Sequence, residues 1–409
     1  MSVRRVGMLL DGVIERYGLL SAVSNLVSAI DRERVELTGI FLARGEAEET
    51  LAPLCDRAIR LDVGSLPRLR ATPRASRGWR GLGRLTGQVT AAARALRTVI
   101  VDYDLELLHA HYWHGFLIAG TAARWRGIGS IWHLHGGYEH TGWGGLLWEE
   151  LGGALADRII CISRWVRGTL PPAWRERASV IYNGLPPERI RRRAATGAFR
   201  RRFAIPDDAV LIGAFGNIIE RKGFDYFIDA AARVAAARHR VSFALVGDAI
   251  DGNTSSHRLA KELRERVAGH GLGERFVFTG RIPDAWQVMP DFDVIVLPTV
   301  PLPGDPTPDF GEGFGLVLAE AMSQGVPVIA ADCGAAAELV DHDRTGLLVR
   351  PRSAAALAAG ITRLAANSTL RRKLSEAGPD HVARRFDSMR MARTAENLYD
   401  EICEGSNNP

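Results

Sequence analysis

The run Asp309-Phe310-Gly311-Glu312-Gly313-Phe314-Gly315-Leu316-Val317-Leu318-Ala319-Glu320-Ala321-Met322, followed by Gly325-Val326-Pro327-Val328, decides how the rest of the sequence is read. Short apolar runs at 294–297 and 326–330 flank it, each of the length of a buried strand. Gly313 and Gly315 lie where a loop enters the helix-like segment 315–323. Glycine at such a place lets backbone N–H groups come close to a phosphate with no side chain in the way. Glu312 stands at the mouth of that helix and Glu320 two turns further in. A carboxylate accepts two hydrogen bonds from a vicinal diol, so one acid suits the hydroxyls of a sugar and the other those of a ribose. The plainer alternative is a capped amphipathic helix with a solvent-facing glutamate. Glu320, however, lies between Ala319 and Ala321 in an otherwise apolar segment, where an unpaired carboxylate is costly.

Working outward, the same alternation of apolar run and helix-like segment fills both halves of the chain. In the second half the runs are 210–215, 241–246, 276–279, 294–297, 326–330 and 346–349, with helix-like segments at 224–237, 258–270, 315–323 and 354–366. In the first half they are 6–10, 35–42, 58–61, 105–109, 130–134, 158–162 and 179–181. Such alternation predicts an α/β fold with parallel sheets wrapped by helices. At 409 residues the chain exceeds what one core supports, so two Rossmann-like domains facing a central cleft are expected. Low apolar content and two arginine triplets, Arg191-Arg192-Arg193 and Arg200-Arg201-Arg202, put the boundary near 186. The expected domains are 1–186, which would receive the acceptor, and 187–385, which would hold the donor. The remainder, 386–409, contains one amphipathic helix at 388–402, expected to cross back onto the first domain.

The composition, 46% hydrophobic and 24% charged, argues against extended disorder. No apolar run approaches the roughly 20 residues of a spanning helix, and the N-terminal apolar stretch is interrupted too early for a secretory segment. Cys55, Cys161, Cys333 and Cys403 are widely spaced, without metal-ligand spacing. A cytoplasmic location fits best. The net charge of +5 is modest, but 63–101 carries eight arginines and no acid. Its proline- and glycine-rich part, bounded by Arg68 and Arg84 and carrying Trp79, reads as a mobile basic loop. Peripheral docking on the anionic inner face of a membrane, or on a polyprenyl phosphate, is one use for it, and a solvated loop is as good a reading. Nucleic acid is disfavoured, because the basic residues are local and no binding fold is evident.

The segment from Glu312 to Val328 resembles the family-four retaining glycosyltransferases of the GT-B fold. Their signature is two glutamates with seven residues between them in an E-G-F-G-x-x-x-x-E-A-M run followed by G-x-P-V, as here with Glu312 and Glu320. The resemblance extends through the segment 213–225, Val246-Gly247-Asp248, Phe278-Thr279-Gly280-Arg281, Leu297-Pro298 and Thr345-Gly346-Leu347-Leu348-Val349, and more weakly through His135-Gly136, Ser163 and Ile181-Tyr182-Asn183-Gly184. It implies a metal-independent hexosyltransferase that needs no cofactor. The donor would be a nucleotide diphosphate sugar, UDP- or GDP-linked most readily. The acceptor would be a glycan, a lipid-linked saccharide or other glycoconjugate precursor of polysaccharide biosynthesis, or a small molecule.

By that resemblance His135, Glu312 and Lys222 are the catalytic candidates. Donor contacts fall to Gly18, Arg221, Lys222, Arg281, Ile282, Glu312, Gly313, Phe314, Gly315 and Glu320. Departure of a nucleotide diphosphate needs its charge stabilised, which suits Lys222 as a point charge and Arg221 as a fork. The nucleobase is expected near the backbone of Arg281-Ile282. Two departures stand out. Asn217 occupies the usual place of an arginine, with Arg221 as its candidate replacement. The double glycine of the first loop is absent, leaving Gly12 and Gly18, of which Gly18 is the nominee.

Other readings carry less. His109 and His111, two apart, face the same way, yet no cysteine or carboxylate completes a zinc set at suitable spacing. Asp102-Tyr103-Asp104 and Asp291-Phe292-Asp293 look like metal-binding DxD motifs but precede their apolar runs, so they read as polar strand starts. The proline-rich stretch from Val300 to Asp309 lies just before Glu312, where it would shape a sugar pocket. A sugar-nucleotide epimerase or a glycogen phosphorylase-like enzyme remains the alternative on such a fold.

Overall fold

The computed structural model describes residues 3–10, 17–61, 79–138, 154–237, 240–305 and 310–405. The chain divides into two units, Met1–Gly184 with Ser388–Pro409, and Leu185–Asp387. Each is built on one sheet in which all pairings of the named strands are parallel. The first sheet contains β1 (Arg4–Leu10), β2 (Val35–Phe41), β3 (Arg57–Arg60), β4 (Leu107–Ala110), β5 (Gly129–Leu134), β6 (Arg158–Cys161) and β7 (Ala178–Val180), in the order β3-β2-β1-β4-β5-β6-β7. The second contains β8 (Val210–Phe215), β9 (Val241–Val246), β10 (Phe276–Phe278), β11 (Val294–Leu297), β12 (Val328–Ala331) and β13 (Gly346–Val349), in the order β10-β9-β8-β11-β12-β13. Every apolar run read from the sequence has become one of these strands. Their continuous hydrophobicity follows from helices covering both faces: β5, β9 and β11 are buried along their whole length.

In each sheet the order reverses once, between β1 and β4 and between β8 and β11. At such a reversal the connections leave on opposite faces, opening a crevice beyond the carboxyl ends of the two strands. Some of the residues nominated from sequence follow strands at or next to these reversals. Lys222 follows β8, Glu312 follows β11, and His111 follows β4, with His135 after the neighbouring β5.

The final helix, Ser388–Gly405, belongs to the first unit. Its Met391, Ala395, Tyr399 and Ile402 join the core formed by Val6, Met8, Leu107 and Ile131. Opposite charges fix its register: Arg4 meets Asp400 at 2.8 Å, and Arg34 meets Glu396 at 2.9 Å and Asp400 at 2.8 Å. The second unit has its own core, in which Phe227, Phe243 and Phe276 pack ring to ring.

Two local readings change. The arginine-rich stretch is not a loop throughout, because Trp79 opens a helix running to Asp102. Ala92, Ala93, Leu96, Val99 and Ile100 give that helix a buried stripe, a periodicity hidden from the reading by the preceding glycines and prolines. Residues 62–78 lie outside the described residues. The charged stretch after Pro186 is docked on the second unit. Asp291 accepts the N–H groups of Thr196, Gly197 and Phe199, each at 2.8 Å, and Phe199 is buried. Among the described residues no helix is long and apolar enough to cross a membrane.

Tyr399 is fully buried, and its hydroxyl lies 2.8 Å from His109 Nδ1. Tyr399→Ala should lower stability by about 3–5 kcal/mol through cavity formation. Tyr399→Phe, which keeps the ring but strands the imidazole nitrogen, should cost about 1–3 kcal/mol. Denaturant midpoints of the full chain measure both.

Candidate active site

β8 delivers the chain into a loop that ends in a short 3-10 turn, Glu220–Lys222, closed by Gly223 at φ +62°. A Cβ on Gly223 would stand 2.1 Å from the carbonyl oxygen of Pro298, so only glycine lets this turn lie against the chain leaving β11. That close approach brings Lys222 to Glu312. The ammonium Nζ and the carboxylate Oε2 are 2.7 Å apart, and Thr299 Oγ1 donates to the same oxygen at 3.3 Å. Glu312 leads through Gly313-Phe314 to Gly315, whose φ of +92° starts the helix Leu316–Ser323. The Phe314 ring is buried edge-on against Phe386. The result is a cation, an anion and the unpaired N–H end of a helix at the sheet's reversal point.

The two glutamates of the signature have different environments. Burial pushes the Glu312 carboxyl up, but the Lys222 charge and hydrogen bond, with the Thr299 hydrogen bond and the Arg221 charge, outweigh it and hold the group below its ordinary value. Burial also pushes Glu320 up, and there the opposing Arg189 does not fully compensate, so Glu320 stays above its ordinary value. Arg189 Nη1 lies 2.9 Å from Glu320 Oε1, and its guanidinium sits over the Trp286 ring. The linkage signs are therefore opposite. Ionised Glu312 stabilises the fold above the ordinary carboxyl pKa, and that contribution is lost as pH falls through its lowered value. Glu320 favours the fold when protonated, and this contribution fades as pH rises through its raised value.

Other nominated residues fall into place less uniformly. Arg221 makes a bidentate ion pair with Asp305, at 2.7 and 2.8 Å, and lies over the Phe310 ring. Arg281-Ile282 follow Gly280, whose carbonyl accepts the Gly247 N–H at 3.1 Å, which sets this loop beside the carboxyl ends of β9 and β10. Gly18 is not in a loop: it is the second residue of the helix Tyr17–Ala29, with open space where a Cβ would be. Gly12 and the rest of 11–16 lie outside the described residues, as do 306–309 of the proline-rich stretch. Neither DxD is a plain strand start. Asp102 ends a helix, Asp291 caps the 198–202 helix backbone, and Asp293 accepts from Arg200 at 2.7 Å and from the Leu211 N–H at 2.8 Å.

In the first unit, β4 and β5 lay four histidines in a stack. His109 Nε2 lies 3.2 Å from His133 Nδ1, and His111 Nδ1 lies 3.0 Å from His135 Nε2. Burial lowers His109 and His135 to about 3 and takes His111 and His133 well below the ordinary value, so the stack is uncharged near neutrality. His111 Nε2, His133 Nε2 and His135 Nδ1 have no hydrogen-bond partner among the described residues. Ligand atoms of His109, His111 and His133 come within 4.8 Å of one another. The rings, however, stack at 28° between His109 and His111 and at 11° between His109 and His133. His111 and His133 are tilted by 37°, but both ring nitrogens of His109 are already engaged, Nδ1 by Tyr399 and Nε2 by His133, so His109 as placed has no lone pair left for an ion.

Residues 209–367 match the family model described as glycosyl transferases group 1, and residues 18–189 match that of glycosyltransferase family 4. The chain belongs to the family-four glycosyltransferases. It is 30% identical over 253 residues, 56% of this chain and 64% of the relative, to a lipopolysaccharide core biosynthesis mannosyltransferase of Rhizobium meliloti. It is 27% identical over 63% of its length to an O-antigen biosynthesis glycosyltransferase of Escherichia coli, covering 65% of that protein. Both matches thus span just under two thirds of the relative. Among solved structures, Anabaena HepE in complex with UDP aligns over 98% of this chain and 100% of its own, at a TM-score of 0.77 and 22% identity. That likeness identifies the two-domain GT-B fold of glycosyltransferases.

Sequence reasoning about this family-four chain missed Arg189, Thr299, His133 and Asp305. Thr299 carried a usable signal, since it lies two residues past the end of a strand at the sheet's reversal. Arg189 and Asp305 lie in stretches whose composition gives no periodicity. Lys222→Met removes the largest of the influences that hold Glu312 down and leaves burial opposed only by Thr299 and Arg221. A carboxyl-carbon NMR titration should show Glu312 below its ordinary value in the wild type and above it in the variant.

Proposed function

We propose that this glycosyltransferase moves a hexosyl unit from a nucleotide diphosphate sugar to a hydroxyl acceptor, with retention of anomeric configuration and without a metal. The observation that carries the reading is the Lys222–Glu312 pair, 2.7 Å apart, at the mouth of the Gly313–Gly315 turn. A lysine there opposes the negative charge that grows on a departing diphosphate, and the N–H groups around Gly313 and Gly315 add fixed dipoles. Glu312 is suited to accept hydrogen bonds from sugar hydroxyls, and Glu320 from the ribose. Arg281-Ile282 would pass beside the base. The solved Anabaena relative holds UDP, which favours a UDP-sugar here.

In the proposed step the bond from the anomeric carbon to the phosphate oxygen breaks and a bond to the acceptor oxygen forms on the same face. The acceptor proton passes to the departing phosphate. A site supplied with anion-stabilising groups, but with no paired nucleophile and acid evident among the described residues, suits this course better than a covalent intermediate. His135, as a neutral imidazole whose Nδ1 has no partner among the described residues, is suited to hydrogen-bond a sugar hydroxyl. The curated relatives are named for lipopolysaccharide core and O-antigen biosynthesis, and we take a saccharide or lipid-linked glycan as the acceptor class. Docking of the basic stretch from Arg68 to Arg84 on an anionic membrane is compatible with such an acceptor.

Incubation with a panel of nucleotide sugars and saccharide acceptors tests this, with the product's anomeric configuration read by proton NMR. Retention is expected, and Lys222→Met or Glu312→Gln should each lower kcat about 10²–10³-fold, as for loss of a transition-state donor. An inverted product, or a Lys222→Met enzyme of full activity, contradicts the proposal.

A further inference from the structure

Asp305 lies in the proline-rich stretch that precedes Glu312, and its carboxylate receives both arms of the Arg221 guanidinium, at 2.7 and 2.8 Å. The same carboxylate accepts the Leu302 N–H. The Arg221 carbonyl accepts the Val300 N–H at 2.9 Å, so one arginine grips this segment by main chain and side chain together. From the other side Arg352 Nε donates to the Pro301 carbonyl at 2.8 Å, and Cys333 Sγ lies 3.3 Å from the Thr299 carbonyl. Burial pushes the Asp305 carboxyl up, but the Arg221 hydrogen bonds, with that of Leu302, more than reverse it, so the pair is ionised on both sides. A guanidinium held this way, with Phe310 beneath its face, has its fork already committed.

The gripped segment carries Thr299, which donates to the Glu312 oxygen that Lys222 also meets. We propose that Arg221 and Asp305 act as a positioning pair. They hold the segment 298–305 so that Thr299 orients the Glu312 carboxylate toward the donor sugar, and Arg221 is not a second cation for the leaving diphosphate. The inference rests on the donor site proposed above. It makes the segment 298–305 a wall of the pocket in which Glu312 would grip the sugar.

Arg221→Gln, Asp305→Asn and the double variant test it on the full chain, with Arg221→Lys as the conservative control and thermal melts confirming that each folds. Positioning predicts that the two single variants lower kcat/KM for transfer by a similar factor, about tenfold, and that the double variant is no worse than either single, as for two residues acting as one unit. Arg221→Lys should recover part of the loss. UDP affinity, measured by calorimetry, should change less than twofold in all of them. Amide hydrogen exchange at Val300 and Leu302 should quicken at least tenfold in Arg221→Gln and in Asp305→Asn. An Arg221→Gln variant that loses UDP affinity tenfold, while Asp305→Asn retains or gains it, would show Arg221 to be a phosphate ligand and overturn the proposal. Unchanged exchange at Val300 and Leu302 in either single variant also overturns it. Should the wild type bind no UDP and accept no nucleotide sugar, the donor reading fails separately, and hydrogen exchange still decides the pairing.

Discussion

The ion pair between Lys222 and Glu312 is the constraint around which the second unit is arranged. It joins two chain segments 90 residues apart, one leaving β8 and the other entering the helix after β11. The approach requires glycine at 223, where the backbone touches Pro298, and the left-handed turn at Gly315 that starts the helix. Each charge is taken partly out of water, with side-chain exposures of 15% for Lys222 and 27% for Glu312. Such a pair is a weak source of net stability, because desolvation offsets most of the attraction. Its value in the proposed function lies in what each group does when a ligand enters. The ammonium can turn to phosphate and the carboxylate to sugar hydroxyls, so neither is left buried without a partner.

The first unit meets the same topological situation with different chemistry. Beyond β4 and β5 it presents imidazoles that burial keeps neutral, with ring nitrogens that have no partner among the described residues. Neutral donors and acceptors suit hydroxyl groups, whereas the second unit's charges suit a diphosphate. This contrast is compatible with the expectation that the first unit receives the acceptor and the second holds the donor. The terminal helix supports the arrangement from behind: Tyr399 hydrogen-bonds His109, and His109 in turn meets His133.

The fold was legible because parallel strands covered on both faces must be apolar along their length, and runs such as 130–134 and 241–246 could hardly be anything else. Lys222 and Glu312 were nominated through the glycine-rich run and the family resemblance, and the structure brings the two together at 2.7 Å. The site's remaining members depend on contacts between distant stretches, which local pattern does not encode. Arg189 looked like one more charge in a basic linker, yet it faces Glu320 across 131 residues of sequence. Arg221 looked like a free cation because nothing in the sequence says that Asp305, 84 residues later, returns to it. Gly18 was misplaced by the opposite error, since a glycine near a loop was read as part of the loop when the helix had already begun. The Asp291-Phe292-Asp293 triplet shows how a motif can mislead. Both carboxylates are consumed by main-chain N–H groups and Arg200, which is ordinary capping chemistry.

The most direct test of the central claim is a crystal structure of this protein grown with UDP. The diphosphate is expected within hydrogen-bonding distance of Lys222 Nζ and of the main-chain N–H groups between Gly313 and Gly315, with the carboxylate of Glu312 released from the lysine. A diphosphate bound elsewhere, with the Lys222–Glu312 pair still closed at its present 2.7 Å, would contradict it.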